Sequence, residues 1–172
     1  NGVLVYQTDA SSSTSLQPVW YGRDGKRLAL AGPPRVYIQG VLSPDEKQFA
    51  AQIVDIVKGS SDIWLLDLTS GILSRITSGS GNKGTPVWSP DGSRLAFRTY
   101  RDGNFEIYLM NADGSQQINL TNNPADDESP TWSPDGTRLM FASNRSGKFQ
   151  LYALTVADTV QDAGQANLIQ IT

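Results

Sequence analysis

The tripeptide Ser-Pro-Asp stands at Ser43–Asp45, Ser89–Asp91 and Ser133–Asp135, at intervals of 46 and 44 residues. The last two copies belong to a longer match. Pro86-Val87-Trp88-Ser89-Pro90-Asp91-Gly92-Ser93-Arg94-Leu95-Ala96-Phe97 repeats as Pro130-Thr131-Trp132-Ser133-Pro134-Asp135-Gly136-Thr137-Arg138-Leu139-Met140-Phe141. A chain that returns to one turn signal at a fixed distance folds as a series of like units, because each copy meets the same local chemistry.

A period near 44 residues is the length of one four-stranded propeller blade. Within one period, Trp88 ends a short apolar stretch. Pro90 presets the φ of a type I turn and Gly92 supplies its positive-φ position, which makes a hairpin. Leu95, Phe97 and Thr99 then alternate with Ala96 and Arg98 as in a half-buried strand. After the turn Arg101-Asp102-Gly103-Asn104, Phe105–Met110 is a third strand. Beyond the turn Asn111–Ser115, the polar Ile118–Thr121 suits a blade's outer edge. The same order runs from Pro130, with strands at Arg138–Ser143, Phe149–Thr155 and Asn167–Ile171 and a longer link at Val156–Ala166. An earlier copy runs from Tyr37, with strands at Gln48–Val54, Ser61–Leu68 and Ile72–Thr77. Glu46 there replaces the turn glycine, so its left-handed residue is expected elsewhere, or a plain type I turn.

Val3–Thr8, Leu16–Tyr21 and Arg27–Ala31 read as the second, third and outer strands of a first blade without its inner strand, joined by a serine-rich flexible loop at Asp9–Ser15. The predicted fold is therefore all-β, one partial propeller over residues 1–172 of antiparallel four-stranded blades at about 1–36, 37–79, 85–122 and 129–172. Neither end completes the other. The count predicts a segment of a larger propeller.

The formal charge of -3, with no long run of either sign, gives no footprint for nucleic acid or for a charged membrane surface. No stretch reaches the roughly 18 apolar residues of a membrane span, and no leader pattern opens the chain. Cysteine and histidine are both absent, which removes disulfides, thiolate nucleophiles and imidazole bases. The redox compartment is left open.

The hairpin Pro-x-Trp-Ser-Pro-Asp-Gly, at Pro86–Gly92 and Pro130–Gly136, and the turn Tyr108-Leu109-Met110-Asn111-Ala112-Asp113-Gly114 resemble the TolB-like, WD-repeat-like propeller family. Asn1–Thr8, Trp20–Leu28 and Asp62–Asp67 also look like the propeller on the carboxyl side of some bacterial membrane-anchored serine/threonine kinases. None of the kinase's own motifs is present, so kinase activity is not implied. The resemblance implies a periplasmic or extracytoplasmic propeller of six to eight blades that binds proteins or ligands over a loop-bearing face. Four blades are fewer, which predicts either a fragment or a ring completed by a second copy.

Trp88 and Trp132 are expected to fill the wedge between blades, contributing roughly 2 to 3 kcal/mol each by burial. Asp91 and Asp135 are expected to bond turn N–H groups, and Pro90, Gly92, Pro134 and Gly136 to build the same turns. Arg94 and Arg138 read as scaffold. Residues that do not repeat are the better binding candidates, since a partner is met once. These are Asn82, Lys83, Tyr100, Arg101, Asp102, Asn122, Asn123, Asp126, Asp127, Glu128, Asn144, Arg145 and Lys148 on the loop face, with Tyr100 beside Arg101 as an anchor. Asp126-Asp127-Glu128 offers carboxylate oxygens but lacks the alternating spacing of a calcium loop and reads as a solvated acidic loop. No catalytic residue, metal or cofactor is expected. The leading function is a non-enzymatic recognition scaffold for a protein partner. Two alternatives stand beside it: a propeller that gates or senses for a kinase or serine peptidase, and a glycan-active enzyme with paired channel carboxylates.

Overall fold

The Ser-Pro-Asp turns are closed by one bonding set. In the second copy the Ser89 hydroxyl donates to Asp91 Oδ1 and accepts the Arg94 N–H at 2.9 Å, while the Ser93 N–H reaches Asp91 at 3.0 Å. Ser43 with Asp45 and Ser133 with Asp135 form the same set. The third residue after serine must be left-handed, with φ of 71° at both Gly92 and Gly136. Glu46 takes that conformation itself, at φ 59°. This corrects the expectation that the left-handed residue lies elsewhere or that the turn is plain type I. The turn's bonds hold a residue with a Cβ in a conformation that costs it about 1 kcal/mol.

The structure, a computed structural model, describes residues 15–156 and 168–172 and the backbone of residues 2–8. The predicted loop after Asp9 and the link after Val156 lie outside the described residues, save Ser15 and Val156 themselves. Fifteen strands form four antiparallel sheets, and no helix occurs among the described residues. The first sheet holds β1 (Gly2–Thr8), β2 (Leu16–Gly22) and β3 (Arg27–Leu30). The second holds β4 (Val36–Leu42), β5 (Gln48–Asp55), β6 (Ser60–Asp67) and β7 (Leu73–Arg75). The third holds β8 (Lys83–Trp88), β9 (Arg94–Thr99), β10 (Glu106–Asn111) and β11 (Ile118–Asn119). The fourth holds β12 (Asp127–Trp132), β13 (Arg138–Ser143), β14 (Gln150–Thr155) and β15 (Leu168–Gln170). Each sheet is a meander in chain order, the pattern of a propeller blade, and among the described residues no strand of the fourth pairs with the first.

Two departures from the predicted strands have local causes. The outer strands are short because Thr77 and Thr121 leave the ladder. Their hydroxyls, in place of their carbonyls, accept the Ile63 and Ile107 N–H groups, at 2.9 and 3.0 Å. The inner strands begin at Lys83 and Asp127, inside segments expected to be loops. Register slips between Gly84 and Val87 and between Glu128 and Thr131, where Pro86 and Pro130 cannot donate to a ladder.

The sheets pack through unlike faces. The second contributes Ala50, Ile63 and Leu65 to a cluster with Leu95, Phe97, Tyr108 and Met110 of the third. One period later, Ala96, Ile107 and Leu109 of the third meet Leu139, Phe141, Tyr152 and Leu154 of the fourth. Trp88 belongs to the first of these clusters and Trp132 packs against the second. The Trp88 indole N–H donates to the Val41 carbonyl and that of Trp132 to the Val87 carbonyl, both at 3.3 Å. Below them Pro44 lies against Gly92 and Pro90 against Gly136, each 3.5 Å from where a Cβ would sit.

Replacing Glu46 by glycine is expected to stabilise the protein by up to about 1 kcal/mol in urea unfolding, by removing the left-handed strain. An acid titration checks the turn aspartates. Bonds from Ser89 and Ser133, and then from the residues at 93 and 137, lower Asp91 and Asp135 from 3.8 to about 2. Their folded pKa is depressed, so the stability they confer is full above about 3.8 and is lost as pH falls toward 2. The double variant D91N/D135N should show a shallower loss of stability between those limits than the unsubstituted protein, and equal slopes would contradict the assignment.

Candidate functional site

Arg101 and Arg145, both candidates as residues that do not repeat, are one period apart and do the same thing. Arg101 lies 4.5 Å over the Tyr108 ring and 5.7 Å from that of Phe97. Arg145 lies 4.9 Å over Tyr152 and 5.3 Å from Phe141. Each is fixed by the last residue of the preceding strand, since Arg101 Nε donates to Thr99 Oγ1 at 3.4 Å and Arg145 Nε to Ser143 Oγ at 2.8 Å. Arg101 also donates to Gln117 Oε1 at 2.8 Å. These guanidiniums plug the upper end of each aromatic face, a scaffold role that the sequence period could have revealed.

The acidic run is not a solvated loop. Asp127 is fully buried at the start of β12, and Arg145 Nη2 reaches both its carboxylate oxygens at 3.0 Å. Glu128 turns the other way to Arg98 of the third sheet, at 3.5 Å. Asp126 accepts the Phe105 N–H at 3.0 Å, and its own N–H donates to Asn144 Oδ1 at 2.9 Å. Three neighbouring carboxylates thus diverge to three partners. They cannot share one cation.

Lys83 is also buried. Its Nζ donates to the Gly79 carbonyl at 2.7 Å and lies 3.4 Å from Asp62 Oδ1. Desolvation lowers its pKa, and the Asp62 charge opposes that shift. Asp62, which the sequence did not single out, also binds the Arg75 guanidinium at 2.5 Å and the Thr77 hydroxyl at 3.0 Å. Glu106 holds the same register in the third sheet. It accepts from the Thr121 hydroxyl, from the Asn123 N–H at 2.9 Å and from Asn104 Nδ2 at 3.1 Å. Both carboxylates are saturated by groups of the sheet junctions.

Of the other candidates, Asp102 accepts from the Tyr108 hydroxyl at 2.5 Å, and burial with this carboxylate pushes Tyr108 up to about 12. Asn82 Oδ1 accepts the Ser61 N–H at 3.0 Å. Asn122 and Lys148 are exposed. Tyr100 differs from all of these. The residue is 46% exposed, and its ring stands edge-on to Phe105, with centroids 5.0 Å apart. Arg98 lies 4.2 Å over the other ring, that of Phe105, and is paired with Glu128. The loop face thus carries an exposed aromatic on a stacked, charge-paired base.

A second feature was not predicted. A cleft of about 350 Å³ opens in the second sheet, lined by Val36, Ile53, Trp64 and Ile56 with Arg35, Arg75, Asp55 and Asp62.

Four meandering antiparallel sheets, the last three joined face to face by repeated tryptophans, define a β-propeller protein. The sequence matches the family model described as the TolB beta propeller domain over residues 4–168, and the chain belongs to that family. An uncharacterized protein of Agrobacterium fabrum is 39% identical over 67 residues, covering 38% of this chain and 22% of that protein. The crystal structure of TolB from Acinetobacter baumannii superposes with a TM-score of 0.73 at 25% identity, covering 98% of this chain and 41% of that one. The structure of a putative TolB from Agrobacterium tumefaciens superposes with a TM-score of 0.74 at 22% identity, covering 97% and 59%. The chain therefore spans less than two thirds of the length of each of these three proteins.

Arg145→Ala is expected to cost about 3 to 5 kcal/mol, because it strands the buried Asp127 carboxylate. Lys148→Ala, three residues on, should stay within about 0.5 kcal/mol. Urea midpoints of the two variants check the contrast.

Proposed function

We propose that this protein is a non-enzymatic recognition scaffold whose loop face docks a protein partner, with Tyr100 as the anchor. The observation that carries it is the exposed Tyr100, whose ring packs edge-on against Phe105. A rigid aromatic presented in advance pays little ordering cost on binding, and tyrosine is enriched at interface hot spots. The buried carboxylates support the same reading. Asp62, Glu106 and Asp127 are each saturated by scaffold donors and cations, which leaves them poorly placed to exchange protons with a substrate.

We place the chain in the periplasm or another extracytoplasmic space, in keeping with its family. We also read it as one single propeller segment within a larger ring. Leu151 is 47% exposed at the register where Ile63 and Ile107 are both 0% exposed, which supports a further blade packing against the fourth. The TolB chains it resembles are longer.

A photo-crosslinking side chain placed at 100 in living cells tests the docking face. Adducts with another protein are expected from position 100 and not from position 47, on the opposite hairpin end. Equal adducts from both, or none from 100, would overturn the reading.

A further inference from the structure

The cleft in the second sheet has a counterpart in the next two, and there it is filled. Strand pairing sets the correspondence. Ala51 faces Trp64 as Phe97 faces Tyr108 and Phe141 faces Tyr152. Two residues past Ile53, Thr99 and Ser143, which occupy one register, stand Asp55, Arg101 and Arg145. In the third and fourth sheets the ring at this place is covered by a guanidinium, at 4.5 and 4.9 Å. In the second sheet the phenylalanine has become alanine and the arginine has become aspartate. Among the described residues no guanidinium stacks on Trp64. The result is a seat about 350 Å³ in volume, floored by a half-buried indole.

Charge decides what the seat takes. Both lining carboxylates are already engaged. Asp55 accepts the N–H groups of Val57 and Lys58 at 3.0 and 3.1 Å and lies 3.8 Å from Lys58 Nζ. Asp62 is held by Arg75 at 2.5 Å and by Lys83 at 3.4 Å. Arg35 forms no ion pair among the described residues, and its Nη1 donates only to the adjacent Pro34 carbonyl, at 2.9 Å. Among the described residues, Arg35 and Arg75 in the lining, with Lys58 and Lys83 paired behind it, outnumber Asp55 and Asp62, so the charge these residues carry is net positive. A cationic group of the kind that fills the other two blades would meet like charge here.

We propose that this cleft binds a carboxylate carried on an apolar or aromatic group. The apolar part lies on Trp64, Ile53 and Val36, and Arg35 holds the carboxylate beside the partly exposed Arg75. A guanidinium suits a carboxylate through two parallel N–H donors, and an indole face suits a flat or branched apolar group. The volume is at the small end for ligand pockets, enough for one large side chain and its carboxylate. Such a group is the free carboxyl end of a polypeptide with an apolar last residue, or a small aromatic acid. Tyr100 is not among its lining residues, and the site does not depend on the loop-face proposal.

The experiment follows the indole N–H resonances of Trp20, Trp64, Trp88 and Trp132 in the full chain, with Trp64 assigned from Trp64→Phe. The probes are acetyl-Gly-Gly-Phe with a free carboxyl end, its carboxamide, and 3-phenylpropanoate. The free acid is expected to shift Trp64 saturably and leave Trp132 in place, and the carboxamide to bind at least tenfold more weakly. Arg35→Gln should weaken the acid at least tenfold with the other resonances unchanged, since among the described residues the Arg35 side chain bonds only the Pro34 carbonyl and its backbone bonds to Leu16 are kept. Tighter binding of the peptide than of 3-phenylpropanoate assigns the site to a polypeptide end, and equal binding assigns it to a small acid. Acid and carboxamide binding alike, no shift of Trp64 at millimolar probe, or unchanged binding to Arg35→Gln would each overturn the proposal.

Discussion

Everything else in this structure depends on one sheet burying its aliphatic face against the aromatic face of the next. A single antiparallel sheet cannot keep water from both faces. Ala50, Ile63 and Leu65 are closed off by a cluster that includes Leu95, Phe97, Tyr108 and Met110, and Ala96, Ile107 and Leu109 by one that includes Leu139, Phe141, Tyr152 and Leu154. Small residues on one face make room for rings on the other. The indole N–H bonds to Val41 and Val87 and the proline–glycine contacts lock the angle between sheets, and they recur because the angle recurs.

The junctions also show how the repeat tolerates change. At one pair of matching positions the second and third sheets meet as Gln52 and Gly84, and the third and fourth as Arg98 and Glu128. A Cβ on Gly84 would sit 2.3 Å from Gln52 Oε1, so the long amide requires the glycine. One period later the space is shared by an ion pair at 3.5 Å. The arginine plug follows the same logic in reverse. Where Phe97 with Arg101 becomes Ala51 with Asp55, the one larger ring, Trp64 in place of Tyr108, does not fill the space, and a cleft is left in the second sheet.

The fold was legible because its signals are local. Pro90, Asp91 and Gly92 specify a hairpin whatever surrounds them, and alternation from Leu95 to Thr99 specifies a strand. Glu46 was misjudged because the bonds from Ser43 and to Asp45 outweigh a backbone preference of about 1 kcal/mol. The site was less legible, since burial is set by neighbours. Asp127 looked like part of an acidic loop, yet the proline bulge extends β12 back to it and the Arg145 charge allows its burial. Arg101 and Arg145 were separated from the scaffold although they stand 44 residues apart. Comparing blade with blade at every position, and not only along the tryptophan hairpin, exposes both the plug and its loss at Asp55.

The central claim is that the repeated residues act between sheets. Hydrogen exchange measured strand by strand on Trp132→Ala tests it most directly. Trp132 belongs to β12, but its indole bonds to Val87 in β8. The account predicts lost protection in β8–β10 as well as in β12–β14, because the two sheets share one cluster. Loss confined to β12–β14, with the third sheet unchanged, would contradict it.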